Sequence, residues 1–335
     1  MPTGRDIKLD FLRVLAILSC ITCHAMIAEP WTKAEYNLAM MFMPDTAALF
    51  IMASGALILR RKSKCSWGYI GYRLTTFVPE FIIFSALYVI LDVVFEFYTG
   101  AVSISHQLCY MFVTPTWGPG WFILALIGVY AVAPLLWAWT QTATRREVET
   151  GIVIWLLSTF LPAIIPHTPV DIPGSIFGTL YNYAGYMVIG YYLVEWPLRE
   201  RSVEFKALFF GVCIAIGVVF GYILGQSGVK WGYSDGLTSG LNITVAMISI
   251  MLFGIVQLLP NKIFTGLFTK AVSSLSKVSL GIYCSHWLIL RYWIIPDEIN
   301  WVTGTCIVLL IAVPIAYVLK GIRAAVIVSF KKRDI

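Results

Sequence analysis

PGWFILALIGVYAVAPLLWAW, residues 119–139, decides the fold: the run carries no charged residue. As a helix, 21 such residues rise about 31 Å at 1.5 Å each, close to the roughly 30 Å hydrocarbon thickness of a bilayer. A helix at a water boundary keeps a polar face, whereas this one is apolar all round and suits lipid. Similar runs recur along the 335 residues, and charges, Pro and Gly divide them into predicted spans at 9–28, 39–59, 70–95, 119–139, 150–166, 179–196, 206–225, 239–260, 278–295 and 301–322. The runs are too long and too uniformly apolar for barrel strands. The expected fold class is therefore all-α, a polytopic membrane protein of about ten transmembrane helices.

Composition agrees. Hydrophobic residues make up 59% and charged residues 13%, against about 45–50% and 25% in soluble chains. That excludes soluble enzymes, secreted disulfide scaffolds and nucleic-acid-binding domains, so membrane lipids are expected partners and nucleic acid is not. The longest gaps between spans are too short for a further soluble domain, and residues 1–335 read as one membrane domain.

Orientation follows from Lys and Arg in the short loops. Of 24 such residues, only Lys33, Lys230 and Arg291 fall on one side, and all the rest except the intramembrane Arg13 fall on the other. Both termini are thus expected in the cytoplasm, with the protein multi-pass in the cell (inner or cytoplasmic) membrane. Asp10 and Arg13 inside the first apolar run favour a retained helix over a cleaved signal peptide. The 7 cysteines form no disulfide framework; Cys20, Cys23, Cys213, Cys284 and Cys306 read as small buried hydrophobes.

Ionisable groups at membrane depth cost about 2.5–3.5 kcal/mol each on insertion scales and call for a reason. The first helix carries Asp10, Arg13 and His24. Eleven steps of 100° from Arg13 to His24 end about 20° past three turns, and fourteen from Asp10 end about 40° short of four, so all three share a face. Asp10 and Arg13, at i and i+3, can pair. His24 stands about 16 Å above Arg13, and its imidazole titrates near neutral pH. Cys20-Ile-Thr-Cys23-His24 also spells the C-x-x-C-H of c-type haem attachment, but it lies inside an apolar helix, and neither haem nor metal is expected. His106 and His167 fall in outer loops. A second polar line, Ser276, Ser279, Tyr283 and His286, occupies one side of the ninth predicted span; its serines equally suit helix-to-helix packing. The loop Arg60-Arg61-Lys62-Ser63-Lys64, followed by Arg73, either obeys the positive-inside rule or holds a phosphorylated ligand.

These residues carry a resemblance. Asp10-Phe-Leu-Arg13, ten residues and then His24 resembles the R-x10-H first helix of the acyltransferase-3 family of membrane O-acyltransferases. Phe50-Ile-Met-Ala-Ser54-Gly55-Ala-Leu57 is similar to its F-x-x-S-G stretch, with one extra residue before the Ser. Arg73 with Pro79 resembles its basic segment leading to a proline, although Thr76 stands where a second Arg is frequent. Trp121-Phe122-Ile-Leu, with Tyr130 and Pro134, is similar to its fourth-helix opening. Gly185-Tyr186-Met-Val-Ile-Gly190-Tyr191-Tyr192 matches its G-Y-x-x-x-G-Y-Y pattern, and Ser279-Leu-Gly281-Ile282-Tyr283-Cys-Ser-His286 its S-x-G-I-Y-x-x-H helix.

The resemblance implies transfer of an acyl group, usually acetyl, from cytoplasmic acyl-coenzyme A to a hydroxyl of a cell-surface or lipid-linked glycan. On this reading His24, Arg13, Asp10 and His286 are the catalytic candidates. Arg73, Arg60 and Arg61 bind the donor, and Trp121, Tyr283, Ser279 and Ser54 support the acceptor or helix packing. Acetyl-coenzyme A is the donor substrate, with succinyl transfer the alternative. A proton-coupled saccharide exporter would use the same histidines, but no two-fold internal repeat accompanies them. A structural subunit of an envelope machine would not explain them.

Overall fold

The computed structural model describes residues 6–28, 35, 39, 43–94, 117–164, 182–226, 241–295 and 299–331, and every regular element among them is a helix. In chain order these are α1 (Ile7–Ala25), α2 (Thr46–Ile58), α3 (Trp67–Leu74), α4 (Val78–Val94), α5 (Trp121–Thr142) and α6 (Arg145–Ile164). Then come α7 (Ala184–Glu195), α8 (Val203–Cys213), α9 (Ile243–Leu258), α10 (Gly266–Ser276), α11 (Ser279–Ile289) and α12 (Trp301–Lys331). A π-helical stretch, Ile214–Phe220, carries α8 on into Gly221–Gln226, and a shorter one, Leu290–Ile294, extends α11.

A helix occupies each of the ten predicted spans, but fewer meet the length and hydropathy needed to cross a membrane. Among the described residues four do: Trp67–Val94, Gly118–Thr142, Val203–Ile223 and Trp301–Ile322. Thr46–Ile58 and Ile243–Leu258 are apolar but shorter. The 261–277 gap, expected as a loop, instead holds α10. This helix is amphipathic, burying Val272 and Ser276 while leaving Leu267 exposed, so no continuous apolar run marks it.

The chain divides into two compact units. The first comprises residues 1–19, 30–70 and 129–269, and the second 20–29, 71–128 and 270–335. Asp10 and Arg13 therefore belong to the first unit and His24 to the second.

The first unit is built around α2. Asp45 caps its N-terminus, accepting from the Ala47 N–H at 3.3 Å and the Ala48 N–H at 2.9 Å, which satisfies two of the orphan donors every helix start exposes. The helix then runs through Ala47, Ala48, Ala53, Ser54, Gly55 and Ala56, all buried. Such small residues replace the missing hydrophobic drive in lipid by allowing backbones to touch. Here they do: a Cβ on Gly55 would meet the Met187 carbonyl oxygen of α7 at 2.0 Å, and one on Gly190 would meet the Met52 carbonyl oxygen at 2.0 Å. The contact is reciprocal, which explains physically why the S-G and G-Y-x-x-x-G segments carry glycine. Gly185 likewise leaves room for the Trp155 indole, whose N–H donates to the Asn182 carbonyl at 2.8 Å. Capped by Asn242, α9 completes this core, with its face from Ile243 to Ile250 buried.

In the second unit α11 is almost wholly buried, packed against α12 and α4. Gly281 sets the α11–α12 approach, since a Cβ there would lie 2.9 Å from the Ala316 Cβ. Pro79 enters α4 in its first turn, where its missing N–H costs nothing.

The glycine crossing gives a stability prediction. Gly190→Ala forces backbone-level overlap and should cost about 1–3 kcal/mol, read as a lower Tm in detergent. Gly211→Ala, at a position with nothing within 4 Å, should leave Tm unchanged or slightly raised. Equal effects of the two would remove the α2–α7 contact as the reason for glycine.

Candidate functional site

The second unit places His24 and His286 side by side. His24 comes from the last turn of α1 and His286 from the last turn of α11, and their ring centroids are 5.2 Å apart. His286 is 0% exposed and His24 is half-buried. His286 Nδ1 bonds to the Tyr283 carbonyl, and His286 Nε2 lies 3.1 Å from His24 Nδ1.

These contacts assign protons. A carbonyl oxygen only accepts, so Nδ1 of His286 carries the N–H. In a neutral ring Nε2 of His286 is then bare and accepts from Nδ1–H of His24. The His24 ring is left with a bare Nε2, a lone pair free to take a proton. Helical geometry makes the anchor possible, because Tyr283 and His286 stand at i and i+3 on one face.

The surroundings lock both rings. Trp287 meets His24 edge to face at 5.4 Å between centroids, and the Gly118 backbone lies against the Trp287 indole. Tyr283 donates its hydroxyl to the Pro119 carbonyl, and its ring packs on Phe122 at 5.3 Å. Behind it Trp117 is fully buried, stacked on Tyr88 at 5.0 Å, with its N–H given to Ser85 Oγ at 2.9 Å. Tyr88 in turn donates to the Cys284 carbonyl at 3.1 Å. The Trp287 indole N–H is buried without a hydrogen-bond partner, while the bonds of Tyr283, Trp117 and Tyr88 tie the surrounding helices together, as catalytic positioning requires.

Cys20 joins the pair. Its Sγ is 3.5 Å from His286 Nε2 and 3.6 Å from His24 Nδ1. The three donor atoms lie within 4.8 Å of one another, a spacing that three ligands of a divalent ion such as zinc also adopt. Read in the sequence as a buried hydrophobe, Cys20 thus has polar neighbours. Its signal was the i, i+4 spacing to His24, which puts both on one face.

The other candidates are distributed as follows. Asp10 and Arg13 pair within α1, Oδ1 to Nη1 at 4.0 Å, with Asp10 2% exposed. Ser54 Oγ accepts from Tyr130 of α5 at 3.3 Å, joining two helices, whereas Ser279 Oγ donates to the Ser276 carbonyl at 3.0 Å, a local bond at the start of α11. Trp121 is 43% exposed. Arg60 pairs with Glu195 at 2.8 Å, and Arg61 lies over the Tyr69 ring at 3.7 Å, both in the first unit. Arg73, in the last turn of α3, belongs to the second. His106 and His167 lie outside the described residues.

One buried charge escaped the sequence reading. Asp92, 0% exposed in α4, accepts from the Tyr292 hydroxyl at 2.6 Å and pairs with Arg291 at 2.9 Å. It is an acid within a predicted span, and Arg291, placed by sequence in the outer loops, is its counter-ion.

Comparison with known proteins bears on the whole chain. A family model, described as an acyltransferase domain of the acyltransferase-3 type, matches residues 6–321. Neither the curated proteins nor the solved structures give a match. The match spans Arg13, His24, Tyr283 and His286 alike, and together with the apolar helices it makes this chain a membrane protein belonging to the acyltransferase-3 family.

Proposed function

We propose that the protein is an O-acyltransferase that moves an acyl group, acetyl foremost, from cytoplasmic acyl-coenzyme A to a hydroxyl of a cell-surface or lipid-linked glycan. The observation that carries this reading is the 3.1 Å contact between His286 Nε2 and His24 Nδ1 with His286 anchored on a backbone carbonyl. It supports His24 as general base. A sugar hydroxyl is a poor nucleophile. As its oxygen attacks the thioester carbonyl, His24 Nε2 takes its proton, the new C–O ester bond forms, and the C–S bond breaks. The thiolate leaves and is protonated by the imidazolium, which restores the neutral ring. His286 holds the His24 tautomer throughout. Arg13 and Asp10 lie toward the cytoplasmic end of α1, and Arg73, Arg60 and Arg61 supply cationic groups for the donor's phosphates. Succinyl-coenzyme A would use the same chemistry.

The topology that accompanies this reading is ten spans with both termini cytoplasmic, in the cell membrane, which the asymmetry of Lys and Arg supports. Reporter fusions at Arg146 and Lys262 should report the inner face, and fusions at Asp171 and Asp235 the outer. A cytoplasmic signal at Asp171 would break the arrangement.

The catalytic proposal is tested by acyl transfer from labelled acetyl-coenzyme A to the purified acceptor, with each variant's fold checked by thermal unfolding. As general base His24 should contribute about 10²–10⁴-fold, so His24→Ala should lose that factor in kcat. His286→Ala, which frees the His24 ring to rotate, should fall between wild type and His24→Ala. A larger loss in His286→Ala would transfer the role to that residue.

The chemistry needs no metal, although Cys20, His24 and His286 have a spacing that suits one. Chelation should leave the rate unchanged and elemental analysis should find no stoichiometric zinc. One zinc per chain, lost together with activity in Cys20→Ser, would replace the imidazole base with a metal centre.

A further inference from the structure

The first unit contains a cavity of about 350 Å³ that the sequence did not single out, within the size range of small-molecule sites. Its walls come from distant parts of the chain: Asp6 and Lys8 at the start of α1, Arg60 after α2, Arg199 after α7, and Gln257 and Asn261 at the end of α9. Three cations thus line it with one carboxylate, Asp6, while Arg60 also pairs with Glu195 at 2.8 Å and Arg199 with Glu200 at 3.6 Å outside the lining. The Asp6 carboxylate is already engaged, since its Oδ1 accepts the Lys8 N–H at 3.0 Å and the Leu9 N–H at 3.4 Å in the first turn of α1.

Two further observations point to an occupant. Lys8 is 9% exposed, its Nζ donates to the Gln257 carbonyl at 2.7 Å, and burial together with the facing Arg199 pulls its ammonium below its ordinary pKa. Asp6 opposes that shift, so the cations of the lining are only partly balanced by the carboxylates beside them. Gln257, also 9% exposed, leaves its Nε2 buried without a hydrogen-bond partner. Such an orphan donor is costly in a folded protein. A phosphate would answer both, accepting from the amide and neutralising the cations.

We propose that this cavity is a phosphate-binding site in which Lys8, Arg60, Arg199 and the Gln257 amide hold the 3′-phosphoadenosine diphosphate end of the acyl-coenzyme A donor. The assignment of the ligand rests on the donor reading above; the phosphate site itself does not. Six of the nine lining residues are polar or charged, which leaves little apolar wall for a lipid chain. Lys8, Arg60 and Arg199 are among the residues that charge asymmetry puts on the cytoplasmic side, where the coenzyme is.

The test is binding to the full-length protein in nanodiscs of zwitterionic lipid, with coenzyme A, dephospho-coenzyme A, adenosine 3′,5′-bisphosphate and phosphatidylglycerol as probes. Coenzyme A should bind about tenfold or more tighter than its dephospho form, the expected worth of a charge-assisted phosphate contact. Arg199→Ala, at an exposed position, and Gln257→Leu should each reduce that ratio toward one. Lys8, whose side chain also ties α1 to α9, is tested by Lys8→Arg, which keeps the charge and should keep the ratio. Unchanged affinity for every probe in Arg199→Ala and Gln257→Leu would overturn the site. Adenosine 3′,5′-bisphosphate bound through Arg199, with coenzyme A not bound, would keep the site and reject the donor reading. Phosphatidylglycerol bound through Arg199, with neither nucleotide bound, would overturn the nucleotide assignment in favour of a lipid headgroup.

Discussion

Hydrocarbon supplies no hydrogen bonds, so a polar atom inside this protein is costly unless it finds its partner within the protein. That constraint organises the molecule. Arg13 is paired within one turn of the same helix, Asp92 across two hundred residues by Tyr292 and Arg291, and His286 by a carbonyl of its own helix on one nitrogen and His24 on the other. Each solution spends helix surface that lipid would otherwise cover. The histidine pair differs from the other two in ending on an open lone pair, and that open end is where chemistry can enter.

The glycine contacts serve the same economy. Without a hydrophobic drive between helices in lipid, association depends on close packing. The α2–α7 crossing achieves it by bringing Gly55 against the Met187 backbone and Gly190 against the Met52 backbone. In the second unit Gly281 does so for α11 and α12, and α11 is the helix that carries Tyr283 and His286. Packing in lipid and positioning of the site are thus the work of one helix.

Much of this was legible in the sequence because it is local. The uninterrupted apolar run at 119–139 lies inside a helix long enough to cross a membrane, and Asp10 pairs with Arg13 as i, i+3 spacing requires. Tyr283 and His286 share a face for the same reason. What could not be read is what depends on distant pairing. His24 meets His286 across 262 positions, and Asp92 meets Arg291 across a comparable separation, so a single acid in an apolar run and a single base beyond another showed no relation. Nor did spacing reveal that Lys8, Arg60, Arg199 and Gln257 line one cavity, or that Arg73 belongs to a different unit from Arg60 and Arg61. α10 was missed because amphipathic helices at a boundary leave no continuous apolar run.

The proposed chemistry turns on the lone pair at His24 Nε2, and nitrogen-15 NMR of the histidine-labelled protein in nanodiscs reads it directly. The chain has 4 histidines, so His106→Gln and His167→Gln isolate the pair. At neutral pH both rings should be neutral and carry their proton on Nδ1, with Nε2 of His24 unprotonated. A His24 ring protonated on Nε2, or one whose Nδ1 shows the shift of a bound metal, would contradict that chemistry.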